Sequence, residues 1–335
     1  MLSKCTFVVT LGTALFLSHC VAVTEEKKRP FGPAAYDGRI IDAHNHPRRQ
    51  SWDKLTRHFA DATISGIERV IVMRTPNDYR NSKRDALLAR AQNFANVTTL
   101  CSGDFVGYLH KGWLDRAKHE VSRIKSDLKS GNCAGVGEVG LRHYDKMWAR
   151  GGGQHEVIVP LDTRLVLDLL AVANQLAVPV ILHIEPVYRP RDINNLGEIK
   201  LWYKKVCKKF PAARLVAAHT GMMSPPDIEE LLLACPNLYA DFKVLHGYGV
   251  VIGFADLYAV NDLDFRFFEH WAAMFEKYPD RFIYGSDWKE GRRRGYRDRS
   301  YRKHIERVRK MIGSLATSVQ EKIAYSNAKK IFRLP

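Results

Sequence analysis

The sequence contains no Cys-x-x-Cys pair, so neither a zinc ribbon nor a thioredoxin-type redox motif is present. No Gly-x-Gly-x-x-Gly run follows an early strand, which removes the usual ground for a dinucleotide-binding fold. Low-complexity segments are absent, and nothing interrupts the chain to mark a second domain. Acidic residues are in deficit: 36 Asp and Glu face 52 Lys and Arg, giving a formal net charge of +16 and a pI near 9.6. That surplus favours an anionic partner such as a phosphate ester, an acidic small molecule, nucleic acid or a membrane surface. Charge alone does not choose among them.

Long apolar runs are scarce too. The mostly apolar stretch from Cys5 to Leu17 falls short of the roughly 20 residues that span a bilayer. With Lys4 ahead of it, it reads as the h-region of an export leader. Cleavage after Ala22 puts small residues, Cys20 and Ala22, at the two recognition positions. Leu17-Ser18-His19-Cys20 alternatively resembles a lipobox acylated at Cys20, although His19 fits poorly there. An uncleaved hydrophobic anchor is the third reading. All three place the rest of the chain outside the cytoplasm, periplasmic or secreted, and make the leader the only route to a membrane. The expected organisation is a signal peptide over 1–22, a charged linker over 23–38 and one domain over 39–335.

Two of the six cysteines lie in the leader, leaving Cys101, Cys133, Cys207 and Cys235. Each sits in or beside an apolar segment, so four buried free thiols are expected. Pairing in an oxidising compartment is the alternative, with three possible connectivities. The sequon Asn96-Val97-Thr98 opens an expected strand and reads as coincidence.

What is present is regular alternation. Short β-branched runs occur at Arg39–His46, Arg69–Arg74, Val97–Phe105, Ala134–Leu141, Pro179–Ile184, Arg214–His219, Leu238–Lys243 and Arg281–Ser286. Helical patterns lie between and after them, including Ser51–Ser65, Lys83–Asn96, Asp115–Lys129, Asp162–Ala177, Pro226–Ala234, Phe265–Tyr278, Tyr301–Gly313 and Val319–Phe332. Eight βα units in this length predict an α/β fold closed as a (β/α)8 TIM barrel rather than an open sheet.

Ligand-type residues recur where those strands end. Strand one closes on Asp42-Ala43-His44-Asn45-His46, and alternation puts His44 and His46 on one face. Strand four carries Glu138 within Gly137–Leu141. Strands five, six and eight end on His183, His219 and Asp287. The C-terminal ends of barrel strands meet at one face, so four imidazoles and two carboxylates converge. That donor set suits zinc first, then manganese, nickel or cobalt, as one or two ions. Each residue also has a plain structural reading. Asp287 would cap a helix, Glu138 would pair with an arginine such as Arg142, and Asp42 is either structural or supports the ligands.

The ordered set resembles the amidohydrolase superfamily of metal-dependent hydrolases from Ile41 to Asp287. Pro179–His183, Ala217–Gly221, Asn237–Asp241, Tyr284–Trp288 and the closing Asn327–Phe332 are similar to its amidohydrolase-2 branch. Gly137–Leu141 is similar instead to TatD-type deoxyribonucleases, whose glutamate bridges two metals. The resemblance implies that His44, His46 and Asp287 hold the more buried ion and that Glu138 bridges or completes the site. It implies that His183 and His219 hold a second ion or, in one-metal relatives, that His183 binds metal and His219 assists the reaction. Asp287 would be the general base.

Arg74, Arg189, Lys243, His246 and Arg292 are the candidate substrate contacts; Asp104, Glu185 and Arg191 also lie at or past strand ends. From Lys289 to Lys310 there are eleven Lys or Arg against three Asp or Glu, a surplus of eight. This stretch is a solvated helix face, an anion-attracting rim, or a contact for nucleic acid or lipid. The sequence thus predicts a hydrolase of an anionic ester, lactone, amide or phosphoester. A TatD-like deoxyribonuclease, a nonoxidative decarboxylase and a non-catalytic anion-binding barrel are the alternatives. Oligomeric state is not legible.

Overall fold

The computed structural model describes residues 26–46, 52–76, 91–145, 156–244, 258–289 and 300–335. The leader, most of the expected helix Lys83–Asn96, His246 and Arg292 lie outside them.

All eight expected strands are present: β1 (Ile40–His46), β2 (Ile67–Val72), β3 (Val97–Thr99), β4 (Val136–His143), β5 (Pro179–Ile184), β6 (Arg214–Ala217), β7 (Leu238–Phe242) and β8 (Phe282–Tyr284). β1, β2 and β3 pair in parallel, as do β4 through β8 in sequence order. The two runs join at both ends. Cys101 bridges Val136 in parallel, with its amide donating to Gly135 O at 2.9 Å. Beyond β8, Trp288–Lys289 pairs with Asn45 and His46, and the Asp287 amide donates to His44 O at 2.8 Å. This is a TIM barrel.

Helices cover the outside: α1 (Trp52–Ile64), α2 (Phe105–His110), α3 (Leu114–Ser130), α4 (Arg164–Leu176), α5 (Leu196–Lys209), α6 (Pro225–Ala234), α7 (Glu269–Lys277) and α8 (Tyr301–Ile312). Their apolar residues recur at helical spacing, as Ala117, Val121, Ile124 and Leu128 do in α3, so one stripe of each packs on the strands. A second, inner core fills the barrel with Ile41, Ile71, Leu100, Ile181, Val216 and Ile283. Ala328, Ile331 and Phe332 from the C-terminal helix close its lower end. With that end plugged, the open end is the one where the strands finish.

One expectation needs correction. The four cysteines are not free: Cys101 pairs with Cys133 and Cys207 with Cys235, across Cα separations of 5.4 and 5.5 Å. An apolar neighbourhood surrounds a half-cystine as readily as a thiol; what decides is that β3 abuts the start of β4, and α5 abuts the end of α6. Gly135, Gly137 and Gly140 have Gly-x-Gly-x-x-Gly spacing but sit at and within β4 rather than after an early strand. A Cβ at Gly140 would lie 2.2 Å from Pro76 Cβ, so a close neighbour demands glycine there.

Candidate metal centre

β1 delivers His44 and His46, both fully buried, with their Nε2 atoms 3.1 Å apart. β4 delivers Glu138, β5 delivers His183, and the turn after β8 delivers Asp287. His219 departs from the expected strand end: β6 stops at Ala217, and His219 lies in the following turn with φ 57° and ψ 50°. Asp287 also has a left-handed backbone, at φ 51°. Such residues cost about 1–3 kcal/mol each and persist where the surroundings hold them.

Glu138 is the hub. One oxygen lies 3.6 Å from His44 Nε2, 3.7 Å from His219 Nε2 and 2.6 Å from His183 Nδ1; the other lies 3.5 Å from His46 Nε2. Asp287 stands 3.2 Å from His46 Nε2 and 3.7 Å from His219 Nε2. His44, His46 and Glu138 present donor atoms within 4.8 Å of one another, and so do Glu138, His183 and His219.

The outer nitrogens show that this set fits a cation. His46 Nδ1 lies 3.0 Å from Met73 O, which only accepts, so Nδ1 carries the proton and Nε2 turns its lone pair inward. His44 Nδ1 meets Asp241 Oδ2 at 2.9 Å, which favours the same tautomer. The two Nε2 atoms then face each other across 3.1 Å, a contact that a proton or a cation between them relieves. Charge points the same way. Burial works against a charged His44, but Asp241 and Glu138 outweigh it and hold its pKa well above the usual value. Burial likewise opposes ionisation of Glu138, yet His183 and His44 keep its carboxyl well below the usual range. The buried carboxylates Asp241 and Glu138 thus favour positive charge among these imidazoles.

A family model described as amidohydrolase matches residues 41–334. The chain belongs to the amidohydrolase family. No curated protein matches it by sequence. Among solved structures, it resembles an amidohydrolase from Burkholderia multivorans with bound HEPES, at 14% identity and TM-score 0.52, over 89% of this chain and 100% of that one. It also resembles a TatD homologue from Escherichia coli, at 16% identity and TM-score 0.50, over 88% and 93%. A third is 2,6-dihydroxybenzoate decarboxylase complexed with 2,6-dihydroxybenzoate, at 11% identity and TM-score 0.51, over 92% and 100%. These likenesses are of fold.

In this amidohydrolase the remaining candidates divide. Lys243 reaches the centre, with Nζ 3.1 Å from Asp287 Oδ2. Arg74 is buried, paired with Asp104 at 3.1 Å, and its carbonyl accepts from the Glu138 amide at 3.3 Å, so it braces β4. Arg189 is exposed beyond β5, lining a groove with Val187, Leu196 and Met222. Arg191 pairs with Glu156. Arg142 does not meet Glu138; it turns outward to Glu198 and Val159 O.

Asp42 stays out of the donor set. Its carboxylate accepts from the Ser286 amide at 2.8 Å, Ser286 Oγ at 2.6 Å and Tyr301 Oη at 2.6 Å, so it ties β1 to the turn holding Asp287. Asp241 was the residue not singled out beforehand. Fully buried at the end of β7, it meets His44 and accepts from the His219 amide at 2.8 Å. Its signal was a carboxylate ending a barrel strand, the same signal that marks His183.

Proposed function

We propose that this amidohydrolase is a metal-dependent hydrolase of anionic esters, lactones, amides or phosphoesters, working with two divalent ions. The observation that carries the reading is Glu138, one carboxylate within 3.7 Å of ring nitrogens from all four histidines. That proximity supports Glu138 as the carboxylate that would be shared between two ions. His44, His46 and Asp287 would hold one ion on one side of it, and His183 and His219 the other. Zinc suits this imidazole–carboxylate set best, with manganese, nickel or cobalt as substitutes.

A bound divalent ion supplies Lewis acidity, polarising a carbonyl or phosphoryl oxygen and acidifying water. Asp287, facing His46 on one oxygen and Lys243 on the other, would be the carboxylate that collects the proton. Lys243 stays cationic, because Asp287 outweighs the burial that opposes its charge, and it offers a contact to an anionic substrate. Burial, reinforced by Lys243, pushes His219 down to about 3, so its ring is neutral and able to donate a lone pair.

The reading includes export. Two cysteine pairs suit the periplasm or an extracellular setting, where disulfides persist. Phosphodiester cleavage of nucleic acid is the second reading, favoured by the Gly-Glu-Val-Gly setting of Glu138. The test is zinc-loaded enzyme assayed on 4-nitrophenyl acetate, a γ-lactone, an N-acyl amino acid and bis(4-nitrophenyl) phosphate. Turnover of at least one, lost in Asp287→Asn, supports hydrolysis; turnover of the phosphodiester alone selects the nuclease reading. Release of CO2 from a carboxylic acid with no hydrolytic turnover replaces both.

A further inference from the structure

His183 stands between two buried carboxylates. Its Nδ1 is 2.6 Å from Glu138 Oε1, on the side of the metal centre. Its Nε2 is 2.9 Å from Glu185 Oε1, on the side away from it. An imidazole that gives a lone pair to a metal is neutral and keeps one proton, so only one of these contacts is then a hydrogen bond from the ring. With the proton on Nδ1, the Nε2 lone pair faces a buried carboxylate oxygen, and Nδ1 has nothing to give a metal. With the proton on Nε2, the Glu185 contact becomes a charge-assisted hydrogen bond and the Nδ1 lone pair points at the centre.

Glu185 is built to hold that second arrangement. It is 2% exposed, its other oxygen accepts from the Tyr144 amide at 3.4 Å, and its own amide donates to Arg142 O at 3.0 Å. His143, stacked on His183 with ring centroids 5.0 Å apart and 16° between planes, places Nδ1 3.8 Å from the same Glu185 oxygen. The carboxylate is therefore fixed by β4 and β5 together. His44 and His46 have their outer nitrogens on Asp241 and Met73 O; Glu185 does for the second-ion side what those groups do for the first.

We propose that Glu185 is a positioning residue that fixes His183 as an Nδ1 donor and thereby decides that the centre holds two ions rather than one. The inference rests on the two-ion reading of Glu138 above and concerns its second ion alone. Partners of this kind change metal affinity by about 10–100-fold.

The experiment is zinc titration against a competing chelator for wild type, Glu185→Gln and Glu185→Leu, with ring ¹⁵N–¹H NMR of the zinc-loaded proteins. Wild type should bind two zinc ions, with His183 protonated on Nε2. Glu185→Gln keeps the shape but is a weaker acceptor, and should weaken the second ion by about 10–100-fold while leaving the first unchanged. Glu185→Leu should saturate at one ion. Circular dichroism melting, together with the unchanged first-ion affinity, certifies that each variant is folded; if Leu fails to fold, Gln decides. The inference is overturned by wild type saturating at one ion, by an Nδ1–H tautomer in the loaded protein, or by two ions bound at wild-type affinity in Glu185→Gln. None of these readouts uses turnover, so a protein that binds as described yet hydrolyses nothing contradicts the hydrolase reading and leaves this one standing.

Discussion

Lys243 Nζ lies 3.1 Å from Asp287 Oδ2, while Asp287 Oδ1 lies 3.2 Å from His46 Nε2. An ammonium on β7's end and an imidazole on β1 thus share one carboxylate. Removing the ammonium leaves Asp287 less constrained and strips the mouth of a cation. Lys243→Met should therefore lower kcat/KM by at least about tenfold on an anionic substrate, the worth of one charge-assisted contact. A neutral ester should suffer less, and metal content should hold. Steady-state kinetics on a charged and an uncharged ester of the same leaving group give the comparison.

Gly285, the residue after β8, sits tight against β1. A Cβ there would lie 2.6 Å from His44 Cβ and 3.4 Å from Asp241 Cβ. Gly285→Ala should therefore displace His44 from its Asp241 contact. We expect a loss of roughly 1–3 kcal/mol in stability from overpacking and a larger proportional loss in metal affinity. Melting curves with and without zinc separate the two effects.

His58 gives a pH prediction. Burial lowers its pKa from 6.5 to about 4, so the unfolded chain binds a proton that the folded one refuses. Its contribution to stability is complete above pH 6.5 and is lost as pH falls through 4, at up to about 1.4 kcal/mol per pH unit. Denaturant unfolding of metal-free wild type should show that slope, and His58→Gln should show a shallower one. Equal slopes would mean that His58 takes up its proton without unfolding.

The cysteine pairs close loops of 32 and 28 residues in sequence separation. Chain-entropy reasoning gives each roughly 3–4 kcal/mol. Thiol titration of the unfolded protein before reduction should find none of these four cysteines free, and reductant should lower the melting temperature.

The barrel was legible because its signal is repeated: eight apolar runs with helical patterns between them, of which Pro179–Ile184 matches to the residue. The centre was legible for a related reason. His44, His46, Glu138, His183 and Asp287 sit where strand ends must meet, so topology converts sequence positions into proximity. His219 lies beside Glu138 but in the turn after β6 rather than on the strand, since left-handed backbone at a non-glycine residue leaves no trace in periodicity. Asp241, Glu185 and Tyr301 act through other residues across the barrel, and such roles depend on which groups face them. The disulfides failed for the same reason: hydrophobicity reports burial, not which cysteine lies opposite.

The most direct measurement is metal analysis of the purified protein beside a His44→Ala/His46→Ala variant. The account predicts stoichiometric divalent ion in the wild type and its loss from the variant, with the barrel still folded by circular dichroism. Wild type that takes up no divalent ion on reconstitution, or a variant that retains it in full, would contradict the account.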